Sequence, residues 1–126
     1  MSHPEIKEPG AGHPITIAPT EGRVRVRING ELVADSTAAL ELREATLPAV
    51  QYIPIGDVVQ DLLTRTDTGT YCPFKGEASY YSVTTSAGDT VDDAIWTYEQ
   101  PYPAVAAIAG HVAFYPDKAE ISVSSQ

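Results

Sequence analysis

Hydrophobic and polar residues alternate along this chain in short runs, broken repeatedly by Gly, Pro, Asn or Asp. The clearest run is Arg23–Ile28, where Arg23, Arg25 and Arg27 alternate with Val24, Val26 and Ile28. A period of two sends three guanidinium groups to one face of a strand and three apolar groups to the other. Asn29-Gly30 follows directly and suits the two positive-φ positions of a type I′ turn. Glu31–Asp35 then returns, with Leu32 and Ala34 on one face and Val33 on the other, so residues 23–35 read as a β-hairpin. Ile15 and Ile17 share one face of a short extended segment over 13–18. Val50–Ile53 reads as a strand ended by Pro54, and Ser79–Thr85 has the aromatic and β-branched composition of another. Thr90–Glu99 is its expected partner across Ser86-Ala87-Gly88-Asp89, although Asp92-Asp93 weakens its first half. His111–Tyr115 and Ala119–Val123 read as a last hairpin across Pro116-Asp117-Lys118.

Helix is the minor signal. Val58, Val59, Leu62 and Leu63 are spaced as one helical stripe behind Asp57, which stands where an N-cap should, and this predicts a short helix over 57–63. The polar stretch Thr64–Thr70, with Gly69, reads as a loop, and Ala104–Ala109 fits one helical turn closed by Gly110. Ala38–Arg43 stays open between helix, favoured by its alanines and leucines, and strand, favoured by its length and the following Pro48. Prolines at 4, 9, 14 and 19 exclude helix from the start of the chain. Residues 1–12 read as a flexible tail and 13–126 as one mostly β domain. Its strands should number about seven to nine.

Composition narrows the function classes. The chain has 126 residues, with eight basic against seventeen acidic side chains and a formal net charge of −9. That size fits one domain with a modest core and argues against a two-domain enzyme. The negative balance argues against nucleic acid as a partner, because phosphate binding needs a clustered positive field. The arginines at 23, 25 and 27 are the solvated face of a strand or, alternatively, an anion-binding strip. The single cysteine, Cys72, allows no intrachain disulfide and no four-cysteine zinc site, and His3, His13 and His111 lack metal-ligand spacing. No metal and no cofactor are therefore expected. No apolar run approaches the ~20 residues that span a bilayer, and no basic segment followed by an apolar stretch opens the chain, so no membrane partner is expected and a reducing, cytoplasmic setting is the default. A monomer or small homo-oligomer is expected.

The stretch that can carry chemistry runs from Thr70 to Ser82. Pro73 stiffens the chain directly after the Cys72 thiol, and Gly76 permits a positive φ directly after the Lys75 amine. A rigid corner thus holds a thiol and an ammonium three residues apart, with Tyr71, Phe74, Tyr80 and Tyr81 around them. In Trp96-Thr97-Tyr98 two further aromatics face the same side of a strand.

These residues resemble the family labelled domain of unknown function 427. The likeness runs from about His13 to Ile121 through ordered blocks: Val24–Val26 with Val33-Ala34-Asp35, Glu44 followed by Tyr52-Ile53-Pro54 and Asp57-Val58, then Cys72-Pro73-Phe74-Lys75-Gly76, Ala94 to Tyr98 with Pro101, and Ile108 to Tyr115. The resemblance implies a β-tent-like fold, two antiparallel sheets meeting at an angle with a pocket between them and one or two short helices. It carries over no zinc, because paired cysteines are missing. Some labels of the family imply nucleotidyl transfer. That chemistry needs magnesium between converging carboxylates and a phosphate-cradling loop, whereas Asp92 and Asp93 would face opposite sides of a strand and Gly76 stands alone.

The main reading is a binding module for a small molecule, including an anionic one, with an aromatic pocket around Lys75. Its expected lining is Glu44, Tyr52, Tyr71, Cys72, Lys75, Tyr80, Trp96 and Tyr98. Glu44 is either a rim residue or the salt-bridge partner of Lys75. The alternative is an enzyme using Cys72 or Lys75 as nucleophile. A nearby ammonium favours the thiolate, and His111 is the one base that could approach through the fold. A third reading is a protein-interaction module docking partners on exposed sheet edges.

Overall fold

The computed structural model of the chain describes residues 6–125. Of the expected tail, residues 1–5 and with them His3 lie outside the described residues. Lys7 donates its amide to the Pro73 carbonyl at 2.8 Å, which ties this end of the described chain to the Cys-Pro corner.

Ten strands form two antiparallel sheets in a mostly β domain. They are β1 (Ile15–Pro19), β2 (Arg23–Ile28), β3 (Glu31–Ser36), β4 (Leu40–Glu44), β5 (Val50–Pro54), β6 (Leu63–Cys72), β7 (Gly76–Thr84), β8 (Thr90–Thr97), β9 (His111–Phe114) and β10 (Glu120–Ser124). The large sheet has the order β1-β4-β5-β9-β8-β7-β6, and the small one β10-β2-β3. The hairpin over 23–35 forms as the alternation predicts, with Asn29 and Gly30 at φ 50° and 83° in its turn. Val24, Val26 and Ile28 are buried and the arginines lie outward, where Arg23 and Arg25 approach the Asp35 carboxylate at 2.8 and 3.6 Å. The ambiguous segment 38–43 resolves as strand β4.

Three expectations give way. The stripe over 57–63 is not a helix. Two 3-10 turns, Ile55–Asp57 and Gln60–Leu62, flank Val58, which pairs as a bridge with Ala34. Val59 donates to the Val33 carbonyl at 2.9 Å, and Asp57 caps nothing, its carboxylate accepting from the Ser36 hydroxyl at 2.6 Å. The polar stretch 64–70 is not a loop but most of edge strand β6. The last two strands do not form a hairpin. Both edges of β9 are taken by β8 and β5, so the chain turns at Tyr115–Ala119 and β10 pairs with β2 in the other sheet. The helical turn expected near 104–109 is a 3-10 segment over Pro103–Ile108.

The period of two sorts the core into two layers. Val24, Val26, Ile28 and Val33 of the small sheet meet Ile53, Val83, Ile95, Val112 and Phe114 of the large one, filling the space between the sheets. Each such side chain contributes roughly 1.5–3 kcal/mol when fully buried. The opposite face of the large sheet carries Leu42, Tyr52, Tyr80, Tyr98 and Ala113, covered in part by Val105 and Ile108 of the 3-10 segment. No helix among the described residues is long and apolar enough to cross a membrane.

Candidate functional site: a ring-walled hollow over Lys75 and Glu44

The hollow lies beside β5, whose pairings on its two edges are staggered. Residues Val50–Tyr52 pair with β4, while Ile53 and Pro54 pair with Val112 and His111 of β9. Those two residues are the whole of the pairing between β5 and β9. The hollow, ≈ 220 Å³, is walled by Leu42, Val50, Tyr52, Tyr80, Trp96, Tyr98 and Tyr115, with Leu47 and Pro48 at one side and Glu44 and Lys75 supplying the charge. It opens on the face of the large sheet away from the small sheet. This hollow is therefore not the pocket expected between the two sheets, whose facing apolar side chains pack against one another over most of that space.

Local structure fixes Lys75. Residues Cys72 to Lys75 form the turn that joins β6 to β7: the Lys75 amide donates to the Cys72 carbonyl at 3.2 Å, and its own carbonyl accepts from Tyr102 at 2.9 Å. Gly76 follows at φ 115°, where an added Cβ would sit 3.4 Å from the Gln100 carbonyl oxygen. The turn directs Lys75 inward, and the residue is only 8% exposed.

A buried ammonium needs a counter-charge. Glu44, at the end of β4, provides it: Lys75 Nζ donates to Glu44 Oε1, and the two side chains are 10% and 12% exposed. The other carboxylate oxygen, Oε2, lies 2.7 Å from His13 Nε2, and the His13 ring stacks on Phe74 at 4.0 Å. Burial works against the Glu44 carboxylate. Hydrogen bonds and charge from Lys75 and His13 outweigh it, and the carboxyl titrates below its ordinary range. Lys75 Nζ also lies 6.0 Å from the centre of the Tyr98 ring and 4.0 Å from Cys72 Sγ.

The rings hold one another. Trp96 Nε1 donates to the Tyr52 hydroxyl at 3.1 Å, Tyr115 donates to the Tyr80 hydroxyl at 3.3 Å, and Trp96 and Tyr115 lie 4.5 Å apart. Burial pushes the Tyr52 hydroxyl up to about 12. Burial likewise raises Tyr98, and it raises Tyr115 with help from the Tyr80 contact. All three rings stay neutral donors at ordinary pH. The Tyr98 hydroxyl has no hydrogen-bond partner among the described residues.

Six of the eight residues expected at the site line the hollow: Glu44, Tyr52, Lys75, Tyr80, Trp96 and Tyr98. Glu44 proves to be the salt-bridge partner. Tyr71 and Cys72 are not on the lining. Tyr71 stands opposite Glu77, on the other face of the β6–β7 pair from Tyr80, and its hydroxyl meets that of Tyr102 at 2.8 Å. Cys72 is half-buried against the second core layer. No hydrogen bond or ion pair joins His111 to it among the described residues; the His111 Nδ1 lies 2.9 Å from the Ala109 carbonyl. Tyr115 and His13 join the site without having been expected there.

A model of the family described as domain of unknown function (DUF427) matches residues 16–125. The chain belongs to this family. No curated protein matches it. The matched span of this DUF427 domain includes Glu44, Lys75, Trp96 and Tyr98 and begins after His13, so the second partner of Glu44 comes from outside it.

Proposed function

We propose that this DUF427 domain binds a small molecule in the ring-walled hollow, with an acceptor group of the ligand, a carboxylate above all, directed to Lys75. One observation carries the reading: the donors at the floor of the hollow exceed the acceptors left to meet them. Both Glu44 oxygens are engaged, by Lys75 and His13, and the Cys72 sulfur takes a long second contact from Lys75 at 4.0 Å. An ammonium has three N–H donors, and the Tyr98 hydroxyl lacks a partner among the described residues. An incoming acceptor meets these donors while its apolar body lies against Trp96 and the tyrosines, the usual division of labour in a ligand site.

Less supports a reaction. Cys72 has Lys75 within 4.0 Å but no lining position, and no hydrogen bond joins it to His111 among the described residues. Nucleotidyl transfer through Asp92 and Asp93 gains no support either, since both Asp93 oxygens accept from Thr66 and Thr68 at 2.7 Å.

Trp96 is the sole tryptophan and stands in the wall, so its emission reports occupancy directly. Butanoate and benzoate should each change it saturably. At ten times the dissociation constant they should raise the melting temperature by about 5 °C, the equivalent of about 1.4 kcal/mol. Tyr98→Phe should weaken binding about fivefold through one lost hydrogen bond. Emission and melting unmoved by either carboxylate would overturn the proposal.

A further inference from the structure

A second hollow, ≈ 510 Å³, lies beside the first. The two share Leu47, Pro48, Val50 and Trp96, so the β4–β5 loop and the indole form a common partition. Their chemistry differs. The first has the Lys75–Glu44 pair and the tyrosine hydroxyls. The second is apolar, walled beyond the partition chiefly by Phe114, Pro116, Ile121 and Val123, where β10 of the small sheet meets the end of β9. Two apolar side chains of this region are open to solvent, Leu47 at 58% and Val123 at 49% exposure. A lone exposed aliphatic residue needs no explanation, but two flanking an apolar recess that adjoins a polar one do.

Resting on the binding reading above, we infer that the two hollows are the head and tail compartments of one site, and that the ligand class is an amphipathic carboxylate with an unbranched apolar chain. The carboxylate meets Lys75 and Tyr98. The chain passes the Trp96 edge and lies in the second hollow against Ile121 and Val123. The linings fix the order of the two parts, since the first hollow holds the Lys75–Glu44 pair and the second has no charged residue to receive a head group.

The test is a homologous series, butanoate to decanoate, titrated against Trp96 emission in the full chain below micelle-forming concentrations. Affinity should climb by about fourfold for each methylene that enters the second hollow. Val123→Asp places a charge at a half-exposed position of that hollow and should flatten the climb while butanoate binds as before. A series as flat in the unaltered protein as in Val123→Asp, with butanoate still binding, would overturn the two-compartment inference and leave the binding reading intact. Loss of every response, butanoate included, would remove both. n-Alkylamines of the same lengths binding more tightly than the carboxylates would assign the head to Glu44 and overturn the ligand class.

Discussion

Lys75→Met should cost this domain about 3 kcal/mol, and adding Glu44→Gln should return most of it. The two side chains are 10% and 12% exposed, so the pair has largely left water. Removing one partner of such a pair strands the other charge in a poorly solvating site, which costs ~3–5 kcal/mol. The low end applies here because His13 still meets the second oxygen of Glu44. Methionine keeps the length of the lysine stem and much of its packing, so little of the loss comes from an emptied volume. In the double variant no charge is stranded. A neutral amide faces a thioether, His13 keeps an acceptor, and the net cost falls to about 1 kcal/mol. For a chain of 126 residues the single variant should melt about 10 °C lower and the double variant about 3–4 °C lower. Urea unfolding of the four proteins of the cycle, followed by Trp96 emission, gives the coupling directly. If the double variant is as unstable as the sum of the two single ones, the pair is not coupled, and the account of Lys75 as a buried cation held by Glu44 fails.

The remaining predictions concern pH and backbone. Glu44 titrates below its ordinary range in the fold, so the stability it contributes is present above the unfolded value near 4.5 and is lost as pH falls through the folded one. Acid unfolding profiles should therefore be steeper below that pH for the natural protein than for Glu44→Gln, and equal slopes would count against the linkage. Tyr52, raised to about 12, behaves oppositely: its contribution is complete below pH 10 and is lost as pH rises toward 12. Absorbance at the tyrosinate band should show part of the seven tyrosines ionising only as the protein unfolds in alkali, and Tyr52→Phe should shrink that delayed fraction. Gly76→Ala forces a side chain into φ 115° beside the Gln100 carbonyl. It should destabilise by about 1–3 kcal/mol and weaken carboxylate binding by moving Lys75, a loss that Gly88→Ala, also at positive φ but in open space, should not reproduce in binding.

What the sequence disclosed, and what it withheld, follows from how local each cause is. The hairpin at 23–35 was legible because both its alternation and its Asn-Gly turn act over neighbouring residues. The stripe over 57–63 misled because its apolar residues are buried by partners far along the chain: Val58 bridges to Ala34, while Leu62 and Leu63 pack on the inter-sheet core. Strand β6 was hidden by its own edge position. Most of its residues face water, so it shows no apolar alternation, and its threonines instead hold the Asp93 carboxylate across an irregular stretch of pairing with β7. A polar edge of this kind also resists pairing with other chains.

The site divides in the same way. The inward aim of Lys75 comes from a turn written in Pro73 and Gly76, and Trp96 with Tyr98 from a two-residue offset, so these were readable. Cross-strand partners share a face, and opposite Tyr71 stands Glu77, one residue out of phase with Ala78 and Tyr80. Had the β6–β7 register been known, Tyr71 would have been excluded at once. The same reasoning would have admitted Tyr115, two residues after Ala113, which pairs with Trp96. His13 had no local signal at all. It reaches Glu44 across 31 positions of sequence, and it does so from outside the span that matches the family. The ring-walled hollow and its lysine thus arise within the matched family span, while one of the two contacts that hold the counter-charge is supplied by the segment preceding it. Any specificity that depends on how freely Glu44 can turn toward a ligand is accordingly set in part by His13, and exchanging that histidine should alter binding in the hollow without altering its walls.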